Sequence, residues 1–310
     1  MHYRGRFAPS PTGDLHFGSL IAAAASYLDA RAHGGQWLLR IEDVDKTRCV
    51  PDAADQIQRT LQAFGLEWDG EVMVQSLRDE RYLEVLEQLA GKGLLYPCQC
   101  SRKQIAAAAS HTASDGSLVY PATCRLPVQS RQLADFPVGS AWRLRVDDAQ
   151  VVAFVDAIQG QQQELLGRDV GDFVLRRADG LFAYQLAVVV DDADQGITHI
   201  VRGADLLGST TRQIYLQQCL GYPQPRYAHL PLALDGEGKK WSKQRLAPAL
   251  KPAEASHLLW LALRFLGQPV PAGLDGAPVA ELLAWGVANW SLAAVPAVVQ
   301  MDSPAELLPG

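Results

Sequence analysis

Apolar positions early in the chain recur at helical spacing. Leu20, Ile21, Ala24, Ala25 and Leu28 fall on one face, and Gly34-Gly35 offers a stop. Two short apolar runs flank this helix, residues 3–8 and 36–41, each of strand length. Between the first run and the helix stands Pro9-Ser10-Pro11-Thr12-Gly13, which cannot be regular structure because two prolines remove backbone donors and fix φ. The rhythm is strand, loop, helix, strand, as in an open parallel α/β sheet. A second helix is expected after Pro51-Asp52, with Ile57, Leu61 and Phe64 inward and Gly65 as its stop. A third covers about 78–90, with Tyr82, Leu83, Leu86 and Leu89 inward.

From Cys98 to about Arg177 the pattern is irregular, and we expect an insertion there. Its exit reads as a hairpin, residues 173–177 and 181–184 around Asp179-Gly180. The α/β pattern then resumes, with a helix near 184–192, a strand at 198–201, a helix at about 206–220 and an apolar stretch at 230–234. From Ala253 onward the spacing of Leu258, Leu259, Leu261, Leu263 and Phe265, and later of Leu282, Leu283 and Trp285, predicts helices. The division expected is 1–97 and 178–250 as two halves of one α/β domain, 98–177 as the insertion, and 251–310 as a small helical region.

The chain has 310 residues, 48% of them hydrophobic, which is ample for a buried core. The net charge of −6 argues against a protein that coats nucleic acid by bulk charge, but not against a local basic face. No apolar run approaches the length needed to span a bilayer, and residues 1–6 lead into no secretory segment, so the expectation is a cytoplasmic protein without a membrane. Five cysteines include the pair Cys98 and Cys100, with Cys124 beyond. Without a secretory segment, such spacing favours metal ligation over disulfides. Structural zinc takes four ligands, so three cysteines leave one position to fill, and His111 is one candidate. Cys49 and Cys219 have no cluster partners in sequence, and Cys219 reads as core filling beside Leu216 and Leu220.

Two strings carry chemistry. The run from Arg6 to Ser19, RFAPSPTGDLHFGS, joins a strand to a helix at the carboxyl edge of the sheet, where open α/β sheets bind ligands. The amides of the new helix face outward toward a phosphate, and His16 adds a donor. A His-x-Gly alone is an ordinary capped turn; the whole string is more specific. The second, Lys239-Lys240-Trp241-Ser242-Lys243-Gln244, puts cations in a loop suited to closing on a triphosphate. Alone it reads more readily as a solvated basic turn.

Together the strings resemble the paired signatures of class I aminoacyl-tRNA synthetases, worded His-Ile-Gly-His and Lys-Met-Ser-Lys-Ser in the family. Here they read His16-Phe17-Gly18-Ser19 and Lys240-Trp241-Ser242-Lys243-Gln244. Arg6 to Gly13, RFAPSPTG, and Arg40 to Asp45, RIEDVD, resemble the glutamyl branch, and the resemblance covers about residues 4–250. It implies a Rossmann-like catalytic core with a zinc-bearing insertion and a small α-helical C-terminal region. It also implies that ATP, with Mg2+, binds at Pro9, His16, Gly18, Ser19, Lys240, Ser242 and Lys243. His16 and Lys243 would stabilise phosphate charge, and L-glutamate would lie against Arg6, Ser10, Glu42, Tyr184 and Arg202. These residue types suit a dicarboxylic amino acid, since arginine pairs two carboxylate oxygens at once and an acid pairs the ammonium. In the short paralogues of this branch a tyrosine completes the zinc site, which maps onto Cys98, Cys100, Tyr120 and Cys124, one structural zinc.

Little chain remains after Lys243, so no anticodon-binding domain is expected. That narrows the resemblance to the paralogues that attach glutamate to queuosine, in the anticodon loop of tRNA(Asp). Two alternatives stay open: a truncated enzyme charging the 3′ end of tRNA, and an inactive paralogue acting as a binding module.

Overall fold

The computed structural model describes residues 2–125, 132–235, 238 and 248–307. Its first half runs β1 (Arg4–Phe7), α1 (Phe17–Ala32), β2 (Gln36–Ile41), α2 (Ala53–Ala63), β3 (Met73–Val74) and α3 (Asp79–Gly91). β1, β2 and β3 are parallel neighbours in that order. The next segment holds β4 (Leu95–Cys98), α4 (Arg102–Ala108), β5 (Ala141–Leu144), β6 (Val151–Asp156), β7 (Gly160–Leu165), the short α5 (Leu166–Asp169) and β8 (Phe173–Arg176). Then follow α6 (Tyr184–Asp194), β9 (His199–Gly203), α7 (Thr210–Leu220), β10 (Arg226–Leu230), β11 (Leu232–Leu234), α8 (Ala255–Phe265), α9 (Val279–Asn289) and β12 (Gln300–Asp302).

A second parallel pair, β9 and β10, lies beside β1. Thr198 N donates to the Arg4 carbonyl at 2.9 Å, and Arg4 N donates to Thr198 Oγ1 at 2.9 Å. From β1 the order runs outward to β2 on one side, and from β9 to β10 on the other. Such a reversal opens a crevice above the carboxyl ends of the two central strands, where α/β sheets place ligands.

Residues 98–177 form two different pieces. β4, β5 and β8 make a separate antiparallel sheet. The β6–β7 hairpin instead extends the parallel sheet, with β6 beside β10. The turn at Asp179-Gly180 forms as expected, but its second arm is one bridge, Arg176 to Phe182, because α6 begins at Tyr184. The helix expected from 206 starts as a 3-10 segment, Ala204–Ser209, before α7.

The C-terminal region is helical through α8 and α9, which pack on α1. Gly286 permits that approach: a Cβ there would meet Leu28 Cδ2 at 2.9 Å. The all-helical expectation for this region fails at β12, which pairs in parallel with β11. Three residues carry no measurable period, and this strand exists only through its partner. Among the described residues two large apolar cores result, beside a small cluster of Tyr96, Cys98 and Tyr120. One gathers Leu28, Trp37, Leu259 and Leu282 around α1; the other gathers Tyr82, Leu86, Leu186 and Ile214 around α3, α6 and α7. Among the described residues no helix is long and apolar enough to cross a membrane.

Candidate active site

The crevice between β1 and β9 opens into a cleft of about 630 Å³. Pro9, Ser10, His16, Gly18 and Ser19 line one wall; Gly203, Asp205 and Leu230 to Ala233 line the other. The loop between β1 and α1 is tied to the chain around it. Glu42 N donates to the Pro9 carbonyl at 3.0 Å, Val50 N to Pro11 at 2.9 Å and Leu250 N to Leu15 at 2.9 Å. His16 is the N-cap of α1: its Nδ1 accepts from Ser19 N at 3.4 Å, and Ser19 Oγ accepts from His16 N at 3.5 Å. In the neutral ring this puts the proton on Nε2, the donor a phosphate would take. Gly18 stands close under that ring, where a Cβ would lie 3.1 Å from His16 Cε1 and press on it. Lys240, Ser242 and Lys243 lie outside the described residues. The chain on either side of them reaches the cleft region, through Leu232 and Ala233 before and the Leu250–Leu15 bond after.

Arg6 and Arg202 directly precede two lining residues, Phe7 and Gly203, and both are buried. Around them lies a network the sequence reading did not foresee. Asp192 on α6 accepts from Arg6 Nε at 3.1 Å and from Arg40 Nη2 at 2.8 Å; the same Nη2 donates to Glu42 Oε1 at 3.1 Å. Burial raises the Asp192 carboxyl, yet Arg40 and Arg6 outweigh it and hold the group below its ordinary range. Burial wins at Glu42, which is raised despite the same two arginines. A ligand ammonium would supply the charge that restores it. The Tyr184 phenol is raised by burial and by Glu42, while Arg202 and Arg6 oppose, so these four groups share one electrostatic neighbourhood.

Arg202 is held from behind. Its Nε donates to His229 Nε2 at 3.0 Å and its Nη2 to Thr210 Oγ1 at 2.9 Å, while Nη1 is buried with no hydrogen-bond partner among the described residues. Asp156 Oδ2 lies 2.6 Å from His229 Nδ1. Neither Asp156 nor His229 was anticipated. One signal for the first is present: Val152, Phe154 and Asp156 share the inward phase of β6. His229, in the apolar end of β10, offers no such cue.

The expected metal ligands converge. The sulfurs of Cys98, Cys100 and Cys124 lie within 4.8 Å of one another. Tyr120 Oη is 3.3 Å from Cys98 Sγ and 3.4 Å from Cys100 Sγ, and accepts from Cys124 N at 2.9 Å. Ala122 takes φ of 56° between them, the left-handed region, which folds the short loop back. Burial pushes the Cys124 thiol up, but hydrogen bonds from Tyr120, Gln99 and the other thiols bring it down to about 7. Three thiols and a phenol oxygen fit the ligand set of a thiophilic cation. His111 is turned elsewhere, with Nε2 2.6 Å from the Arg168 carbonyl and Nδ1 2.8 Å from Ser110 Oγ. Cys49 lies apart, its Sγ 3.4 Å from the Asp45 carbonyl, and Cys219 packs on the second core.

Strand order and cleft place the molecule among the open α/β folds, with the cleft where the strand order reverses. The family model described as "tRNA synthetases class I (E and Q), catalytic domain" matches residues 2–255, and the chain belongs to that family. Among its relatives, proteins named Glutamyl-Q tRNA(Asp) synthetase are similar over nearly their whole length. The one from Dechloromonas aromatica is 60% identical, covering 95% of this chain and 96% of its own. That of Thiobacillus denitrificans is 53% identical over 97% of both. A glutamate-tRNA synthetase structure from Elizabethkingia anophelis superposes with a TM-score of 0.78 at 25% identity, covering 99% of this chain and 69% of that one.

Proposed function

We propose that the chain activates glutamate with ATP and transfers it to queuosine in the anticodon of tRNA(Asp). The observation that carries this reading is the near full-length similarity to proteins named for that product. The buried arginine–glutamate cluster beside the cleft supports a dicarboxylic amino acid as the substrate.

In the first step the α-carboxylate of glutamate attacks the α-phosphorus of ATP. Pyrophosphate leaves and glutamyl-adenylate forms. Arg6 and Arg202 would pair the carboxylates, with Glu42 taking the ammonium and Ser10 and Tyr184 completing the pocket. Pro9 and the start of α1, with Gly18 and Ser19, would receive the nucleotide. His16 would donate to phosphate, and Lys240, Ser242 and Lys243 would add charge and hydrogen bonds. Positioning and electrostatics supply most of such an acceleration. Mg2+ accompanying ATP would draw charge from the departing pyrophosphate oxygens. In the second step a hydroxyl of the queuosine cyclopentene ring attacks the activated carbonyl, and AMP leaves. Zinc held by Cys98, Cys100, Tyr120 and Cys124 would tie β4 to the loop before Cys124.

Two measurements test the reading. Pyrophosphate exchange should depend on glutamate, not aspartate or glutamine, and should proceed without tRNA. An isolated anticodon stem-loop containing queuosine should accept glutamate, whereas one with guanine should not. Glutamate on the terminal adenosine of intact tRNA, with an inert stem-loop, would identify a 3′-charging enzyme instead. No exchange with any amino acid would favour an inactive paralogue.

A further inference from the structure

The guanidinium of Arg202 has its Nε and Nη2 already committed inside the protein. What it binds to on that side fixes how Nη1 is presented. His229 is fully buried, and its Nε2 must accept a hydrogen bond, because Arg202 Nε can only donate. The imidazole is therefore protonated on Nδ1, which lies 2.6 Å from Asp156 Oδ2. Asp156 is itself fixed. Its Oδ1 accepts from the backbone N–H of Ile158 at 3.0 Å, Gln159 at 2.9 Å and His229 at 3.1 Å. Thr210 Oγ1 has two acceptors for its proton, the Leu206 carbonyl at 3.1 Å and His229 Nε2 at 3.2 Å, and with either one its oxygen accepts from Arg202 Nη2 at 2.9 Å. Donation along this line thus runs one way, from Arg202 through His229 to Asp156.

An unsatisfied buried donor is costly, so an acceptor brought to one by a ligand is stabilising. Arg202 Nη1 is such a donor, on the residue directly before Gly203 at the cleft wall. A ligand carboxylate oxygen would satisfy it. We propose that Asp156 and His229 are positioning residues that hold Arg202 ready for a substrate carboxylate, by locking His229 in its Nδ1–H tautomer. This rests on the reading of the cleft as a glutamate-activating site.

Asp156→Asn tests the chain of donation directly. Asn can keep an oxygen toward the three backbone N–H groups, but then turns its NH2 toward His229. The imidazole must answer with a lone pair on Nδ1, moving its proton to Nε2, where it opposes Arg202 Nε–H. In glutamate-dependent pyrophosphate exchange, Asp156→Asn should raise KM for glutamate about 10-fold or more, with KM for ATP unchanged and kcat little altered. Nitrogen-15 NMR should find His229 as Nδ1–H in the wild type and Nε2–H in the variant. His229→Gln, which retains an acceptor toward Arg202, should raise the glutamate KM less than His229→Leu. If Asp156→Asn does not fold, the wild-type tautomer and the His229→Gln and His229→Leu pair decide the matter. An active wild type whose folded variants keep their glutamate KM, or whose His229 is the Nε2–H form, overturns the positioning role alone. A wild type without glutamate-dependent exchange overturns the functional reading and this role with it.

Discussion

His229 shows how far burial governs chemistry here. Burial lowers its pKa from 6.5 to about 4, against the pull of Asp156. Between those values the unfolded chain binds a proton that the folded chain refuses. The stability this confers is full above pH 6.5 and is lost as pH falls toward about 4, a span worth roughly 3 kcal/mol. Asp156, held below 3.8, adds an acid loss only at lower pH. Urea unfolding at pH 7 and pH 4.5 should therefore show a large fall in midpoint for the wild type and a smaller one for His229→Gln; equal falls would mean His229 is not the group responsible. Lys243→Ala should slow pyrophosphate exchange roughly 100-fold, the scale for losing one preorganised charge donor. Arg6→Ala should instead raise the glutamate KM. Arg6 could be named as a candidate because it stands in a family string, and Arg202 only through what the resemblance implies. Asp192 and His229 could not be, since a polar residue in an apolar helix or strand reads as an interruption until its partner is known.

Elements separate by length. α1, α2 and α3 were readable because several turns of apolar spacing leave little ambiguity. The strands between 98 and 177 were not, because β6 joins one sheet and β4, β5 and β8 another, and pairing choices are not written in a four-residue run. The Tyr120–Cys124 loop makes its own prediction. Purified protein should carry about one zinc per chain, and removing it with a chelator should lower the melting temperature. Tyr120→Phe should weaken metal retention, while His111→Ala should leave it intact, given where its ring nitrogens point. Elemental analysis of the two variants checks both, and the reverse pattern would reassign the fourth ligand.

At the scale of the whole molecule, the seam between the half-sheets is also where the candidate site lies. Asp192 on α6 reaches Arg6 on β1 and Arg40 on β2, so one carboxylate ties the second half of the sheet's elements to the first. Removing its charge leaves two buried guanidinium groups short of a partner. Asp192→Asn should cost about 3–5 kcal/mol, read from urea unfolding, and should also weaken glutamate-dependent exchange. A variant as stable as the wild type would show that Arg40 and Glu42 suffice to hold the seam. The alternation of short apolar runs and helical spacing already determined an open α/β sheet. The strings around His16 and Lys240 determined its chemical family, because each is a local pattern read within a dozen residues. Only the tertiary structure decided that β9 lies beside β1, that β12 closes on β11, and that Asp156, His229 and Arg202 form one line. Those arrangements join residues tens to hundreds of positions apart, and it is burial, which no local pattern states, that turns their contacts into fixed charge and fixed protons.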